Sequence, residues 1–183
     1  MNIDRAVTNA HWRLRPVTHH DARRLYVLAC EPLVYRFLFD GTPPSEAFIA
    51  NRIAQAIDHR MTRGLGMWLL ENGTGCCLGC VELRPYISPR CAEITYLLHP
   101  EAWGQGLATR MAWAIIARAF QLSHIEAVVA GHDLPNMQSR KVMHRLSMRF
   151  HQDVQYPLGA GAEYILRRSD PGPAPRPALI PIE

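Results

Sequence analysis

Residues 97–120, LLHPEAWGQGLATRMAWAIIARAF, constrain this chain more than any other stretch. An apolar run ends at His99-Pro100, a short loop carries Gly104 and Gly106, and an amphipathic helix follows. Proline closes the strand, and the glycines free the backbone where it turns into the helix. Leu107, Met111, Ile115, Ala119 and Leu122 recur at helical spacing and form one inner stripe. At the start of such a helix the first N–H groups lack intrahelical partners, and the positive end of the helix dipole suits an anion, above all a phosphate. Arg110 stands in the first turn, where the dipole disfavours a cation, and a nearby anion would account for it. An ordinary loop with two flexible glycines fits the same spacing. The pattern is neither the eight-residue loop ending in Gly-Lys-Ser/Thr nor a G-x-G-x-x-G, so neither a nucleoside triphosphate nor a nicotinamide dinucleotide follows.

The rest of the chain supplies the layers around that segment. Alternation predicts strands over 12–17, 67–71, 76–83, 92–99, 125–130, 148–156 and 163–168. Helical spacing predicts helices over 21–29, 33–39, 104–122 and 135–147, and another that Ser45 caps and that Gly64 and Gly66 end. Asn72-Gly73 marks a hairpin turn, and Gly159 and Gly161 mark the turn of a last hairpin. This order gives a mixed α/β fold with a largely antiparallel sheet and at least one parallel crossover. At 183 residues the chain is one domain, expected over 11–169. Residues 1–10 read as flexible. The end, SDPGPAPRPALIPIE, reads as an extended or disordered tail over 170–183.

Composition excludes several classes of function. No apolar run approaches the roughly 18 residues of a membrane span, and the N-terminus is too polar for a signal peptide, so a cytoplasmic protein is expected. Net charge is +4, yet the arginines are scattered with no run longer than two, so direct nucleic-acid binding is not expected. An odd number of cysteines, five, argues for reduced thiols. Cys77-x-x-Cys80 has no second pair of ligands for a structural zinc and reads as small apolar strand positions; no metal is expected.

The string Trp103-Gly104-Gln105-Gly106-Leu107-Ala108-Thr109 resembles the acetyl-CoA signature of the GNAT N-acetyltransferases, in the branch that acetylates ribosomal-protein N-termini (the RimJ/RimL type). Ala92-Glu93-Ile94-Thr95-Tyr96 is similar to that branch's fourth strand, and Asn136-Met137-Gln138-Ser139 to its N-x-x-S helix start. The resemblance runs over roughly 12–168. It implies the GNAT fold, with a splay between strands four and five and acetyl-CoA lying in the gap. The backbone of Leu97, Leu98 and His99 would pair with the pantetheine arm. The N–H groups of Gly104, Gln105, Gly106, Leu107, Ala108 and Thr109 would hold the pyrophosphate. Asn136 and Ser139 would meet the ligand, with Ser139 protonating the leaving thiolate.

The implied reaction is direct acetyl transfer to a primary amine, on a protein N-terminus or on a small molecule such as an antibiotic or polyamine. A module that binds acyl-CoA without turnover is the alternative, and a homodimer is left open. Glu93, which shares a strand face with Thr95, Leu97 and His99, is the candidate helper for deprotonating the amine; a carboxylate paired with an arginine is the competing reading. Asn136 also reads as an N-cap with Ser139 at the third helical position. Three positions depart from the branch: Arg110 stands where Glu is frequent, Ser147 where Gly is usual, and Gln155 where some members carry an acid.

Overall fold

The computed structural model describes residues 12–183, so the segment expected to be flexible at 1–10 lies outside the described residues. Seven strands form one sheet: β1 (Arg13–Pro16), β2 (Gly66–Glu71), β3 (Cys77–Pro85), β4 (Cys91–Leu98), β5 (Ala127–Asp133), β6 (Arg149–Tyr156) and β7 (Gly159–Arg167). Their order is β1-β2-β3-β4-β5-β7-β6. Each neighbouring pair is antiparallel except β4 and β5, which are parallel and joined by a helical crossover. The helices are α1 (Ala22–Ala29), α2 (Pro32–Tyr35), α3 (Glu46–Arg63), α4 (Leu107–Ala119) and α5 (Met137–Arg145).

Strand alternation divides the apolar residues between two cores. Leu70, Val81, Ala92, Ile94, Leu98, Val128 and Ala130 face α4 and α5, whose Met111, Ile115 and Met143 complete that layer. Met67, Leu69 and Cys80 face the other way and meet Leu25, Leu28, Ile49 and Ile53 of α1 and α3. The α3 helix begins as its sequence dictates: Ser45 Oγ accepts the Phe48 N–H at 3.1 Å, and Gly64 ends it at φ 71°.

Only three residue pairs join β4 to β5: Cys91 with Ala127, Ala92 with Val128, and Glu93 with Val129. Beyond that point β4 continues against β3 as far as Leu98, and β5 continues against β7 as far as Asp133. The two parallel strands therefore part over their C-terminal halves.

Several elements differ from expectation for local reasons. The α4 helix starts at Leu107 rather than at residue 104, because Gly104 and Gly106 take φ of 77° and 72°. The last hairpin turns at residues 157–158, and Gly161 lies inside β7. A Cβ there would stand 2.3 Å from Cδ2 of Tyr156, whose ring lies across Gly161 and Gly131. The glycines make room for that ring and do not bend the chain. α5 closes with Ser147 at φ 59°, the Ser147 N–H bonding His144 O and the Met148 N–H bonding Met143 O, each at 3.0 Å. This is a Schellman end with serine in the glycine place.

The proline-rich tail is extended but not loose. Ile180 is buried in the α4-side core, and Gly172 rests against the Trp113 ring. The Leu14 N–H bonds Pro181 O at 2.8 Å, and the Glu183 N–H bonds Leu14 O at 2.9 Å. Ile180 and Ile182 give the extended tail apolar anchors, and β1 offers it an open edge.

Candidate active site

Among the described residues, the N–H groups of residues 104–109 make no intramolecular hydrogen bond; the first helical bond runs from the Arg110 N–H to Gly106 O at 3.1 Å. A Cβ on Gly104 or Gly106 would meet open space. Thr109, in the first turn of α4, is 6% exposed, and its Oγ1 has no partner. Bare amides, the positive end of a 13-residue helix and an orphaned hydroxyl together form a cradle fit for a diphosphate. The Gln105 side chain turns back to Glu101 O at 3.4 Å. Arg110 is occupied elsewhere. Its guanidinium lies 4.8 Å from the centre of the Trp12 ring and donates to Ala178 O at 3.0 Å. The tail, rather than an anion, accounts for a cation in that turn.

The gap between β4 and β5 adjoins this cradle. The His99 N–H bonds Leu78 O at 2.8 Å, which makes His99 and Leu78 a hydrogen-bonded pair of the β3–β4 ladder. Antiparallel pairs alternate, so the backbone groups of Leu97 pair with β3, whereas those of Tyr96 and Leu98 point into the gap. The Leu98 carbonyl is taken by the Trp103 indole N–H at 2.9 Å, which leaves the Leu98 N–H facing the gap. The His99 imidazole accepts the Glu101 N–H at 3.4 Å and so caps the turn that follows.

Asn136 and Ser139 stand on the α4–α5 side of the gap. Asn136 caps α5, its Oδ1 accepting the Ser139 N–H at 3.2 Å. Ser139 Oγ lies 2.8 Å from the hydroxyl of Tyr96, which burial holds well above the usual phenol range. The N-x-x-S segment thus caps the helix and sets a hydroxyl against Tyr96 of β4. The sequence reading missed Tyr96. Its signal was a polar-tipped ring in an inward register among apolar residues, but the partner is 43 residues away.

The opposite face carries the carboxylates. Glu93 sits where β4 and β5 begin to part, held by Arg84 Nε at 2.7 Å and Arg84 Nη2 at 2.6 Å. Glu82 is buried against Arg52 of α3, and burial pushes its carboxyl up. Between Glu82 and the helices α1 and α3 opens a cavity lined mainly by apolar side chains, among them Leu38, Phe39, Ile53, Met67 and Leu97. On β7, Glu163 accepts from Tyr86 Oη at 2.5 Å and from Gln152 Nε2 at 2.8 Å. Burial, then the charges of Glu163, Glu93 and Asp133, push the Tyr156 hydroxyl up to about 12. Leu158 in the β6–β7 turn packs on Gly41, so the two loops that flank this face meet. Gln155 lies at the surface, its amide donating to Tyr156 O at 3.3 Å.

All five cysteines are free thiols, and burial raises those of Cys77, to about 11, and Cys80. Among the described residues no three His, Cys, Asp or Glu side chains gather as a metal-binding group, and no helix is long and apolar enough to cross a membrane.

A mostly antiparallel sheet that parts at its single parallel pair, beside a glycine-opened helix start, defines an acyl-CoA-dependent acyltransferase fold. Residues 11–149 match the acetyltransferase (GNAT) domain family. The chain belongs to that family and is, by class, an acetyltransferase. Solved structures agree on the fold. RimL, a ribosomal L7/L12 α-N-protein acetyltransferase in complex with coenzyme A, is similar at 18% identity and TM-score 0.74, over 88% of this chain and 97% of that one. The aminoglycoside acetyltransferase AAC(6')-Ib with coenzyme A is similar at 16% identity and TM-score 0.70, over 86% and 95%. An acetyltransferase from Agrobacterium tumefaciens is similar at 19% identity and TM-score 0.73, over 89% and 94%.

Proposed function

We propose that this protein moves an acetyl group from acetyl-CoA directly to a primary amine. The observation that carries the reading is the run of unbonded amides at 104–109 opening beside the parted strands. Gly104, Gln105, Gly106, Leu107, Ala108 and Thr109 would hold the diphosphate, and the edge at Leu97, Leu98 and His99 would flank the pantetheine arm. Bound acetyl-CoA supplies an activated thioester. The Leu98 N–H is the one donor of that edge free to face its carbonyl and to stabilise developing negative charge. Asn136 positions the Ser139 hydroxyl, which with Tyr96 holds a proton on the side from which the thiolate leaves.

The acceptor enters from the carboxylate face, where Glu93 is already paired with Arg84. A protein N-terminal amine suits such a site, because its pKa near ~7.7–8.0 leaves part of it neutral at physiological pH. A small-molecule amine fits the same chemistry. Five free thiols suit the reducing cytoplasm as the place of work. Release of free thiol from acetyl-CoA tests the reading, with a panel of N-terminal tripeptides, alkyl amines, diamines and aminoglycosides. Turnover with at least one is expected. Tight acetyl-CoA binding with no turnover on any of them would leave only a binding module.

A further inference from the structure

We infer that Asp133 is the group that receives the acceptor's ammonium and takes its proton, an assignment that rests on the amine acetylation just proposed. Asp133 ends β5 on the parted stretch, opposite Gly161 of β7. Asp133 stands as many residues past Val129 on β5 as Leu97 stands past Glu93 on β4, so it lies on the far side of the gap from the Leu97–Leu98 edge. Its side chain shares the carboxylate face with Glu93 and Glu163, since Val129, Gly131 and Asp133 alternate together. Asp133 is only 8% exposed, yet its Oδ1 has no hydrogen-bond partner, and no arginine or lysine among the described residues pairs with it. A carboxylate so placed lacks a cation, and an ammonium entering the gap supplies one.

The other charged groups of this face have partners of their own. Glu93 of β4 is neutralised by Arg84, whereas Glu163 of β7 is held by Tyr86 and Gln152, neither of them cationic. The Tyr156 hydroxyl of β6 lies over Gly131 between Glu163 and Asp133. His132 belongs to the other face, its ring beside Tyr164. Burial raises the Asp133 carboxyl above the usual carboxylate range, outweighing its own backbone N–H and the charge of His132, and this makes it a better base.

The step balances as follows. The Asp133 carboxylate takes one proton from R–NH3+, and the freed nitrogen lone pair forms the C–N bond at the thioester carbonyl. The C–S bond breaks, and sulfur leaves with its electron pair. The second proton lost by nitrogen as the amide forms ends on that sulfur, through the Ser139 and Tyr96 hydroxyls. Asp133 returns its proton to water when product departs.

The test compares Asp133→Asn with the native chain at saturating acetyl-CoA, using the best alkyl-ammonium acceptor and hydroxylamine, which is already largely neutral at pH 7. The expected loss of kcat is about 100–1000-fold for the ammonium acceptor. For hydroxylamine it is under about threefold, because no proton need be removed first. The variant's rate with the ammonium acceptor should rise about tenfold per pH unit up to the acceptor's own pKa. The acetyl-CoA thermal shift should persist. Equal losses on both acceptors, or a flat pH profile, would overturn the assignment, as would unimpaired turnover. If Asp133→Asn lacks the thermal shift, Asp133→Ser is read in its place by the same criteria. A native chain that binds acetyl-CoA but acetylates no amine sinks the proposed function and this assignment together, whereas loss of selectivity alone sinks only the role of Asp133.

Discussion

Replacing Gly106 with aspartate tests the diphosphate cradle most directly. Gly106 sits at φ 72° with open space where a Cβ would project, so the new carboxylate has room within the run of bare amides at 104–109. A ligand at 100 times its Kd stabilises the folded state by about 2.7 kcal/mol. For a chain of this size that is a melting shift of about 5–10 °C. One added negative charge at about 5 Å from a phosphate, at an effective dielectric near 20, opposes binding by about 3 kcal/mol. Binding then weakens more than 100-fold, and the shift falls to about 1 °C.

Gly106→Asn separates charge from backbone strain. Asn and Asp are nearly equal in size, and both tolerate the left-handed region better than other side chains. Each variant should lower the unliganded melting temperature by a similar amount, and acetyl-CoA should stabilise the Asn variant far more than the Asp variant. The assay is a melt with and without acetyl-CoA at low salt, where screening is least. Equal acetyl-CoA shifts in the Asp and Asn variants would refute the placement of a diphosphate at residues 104–109.

Two further outcomes follow from groups outside the gap. Ser147 holds a left-handed conformation that glycine adopts freely, so Ser147→Gly should stabilise by about 1 kcal/mol and raise the melting temperature by about 2–4 °C; an unchanged or lower value would show that the serine is not strained. Asp21 is buried and is bonded by Arg15 at 2.8 and 2.6 Å and by the Thr18 N–H at 2.8 Å. Burial alone would raise its carboxyl, but these partners outweigh it and bring the pKa from 3.8 down to about 2. A depressed carboxylate stabilises above its unfolded pKa and loses that contribution as pH falls through the folded one. Urea melts should therefore show about 2 kcal/mol lost between about pH 4 and pH 2, and Asp21→Asn should lack that component. An acid slope that survives the substitution would assign the loss to other carboxylates.

What the sequence made legible was local. Ser45 and Gly64 bracket α3 because a cap and a left-handed stop act within one turn, and the α4 stripe follows from period 3.6 alone. The glycine cradle and the Asn136–Ser139 cap were legible for the same reason. The carboxylate face was not. Asp133 and Glu163 become neighbours only through the β5–β7 register, and Tyr96 meets Ser139 only when α5 folds over β4. Gln155 stands where some members of the branch carry an acid, yet it lies at the surface, whereas Asp133 of β5 and Glu163 of β7 are buried. Arg110 misled because a first-turn cation suggests an anion, whereas its partners come from Trp12 and Ala178 at opposite ends of the chain. Ile180 was hidden by the prolines around it, since composition reports stiffness and not whether an edge strand waits to receive the segment.

The parting of β4 from β5 gives these features one physical cause. An amide left unpaired inside a protein costs roughly 1–3 kcal/mol, so two strands that begin hydrogen-bonded should stay so unless something else engages their edges. Here the Tyr96 and Leu98 backbones face the gap, and Gly131 on β5 bears no side chain to fill it. Neither side closes it. The Tyr96–Ser139 contact props the α5 side, and the Tyr156 ring over Gly131 and Gly161 props the other. The gap thus joins a face of hydroxyls beside a phosphate cradle to a face of carboxylates beside an apolar cavity. A thioester arm entering from the first face and an ammonium entering from the second would meet at the Leu98 N–H. On that reading the thickness of the sheet itself would separate the two reactants until both are bound.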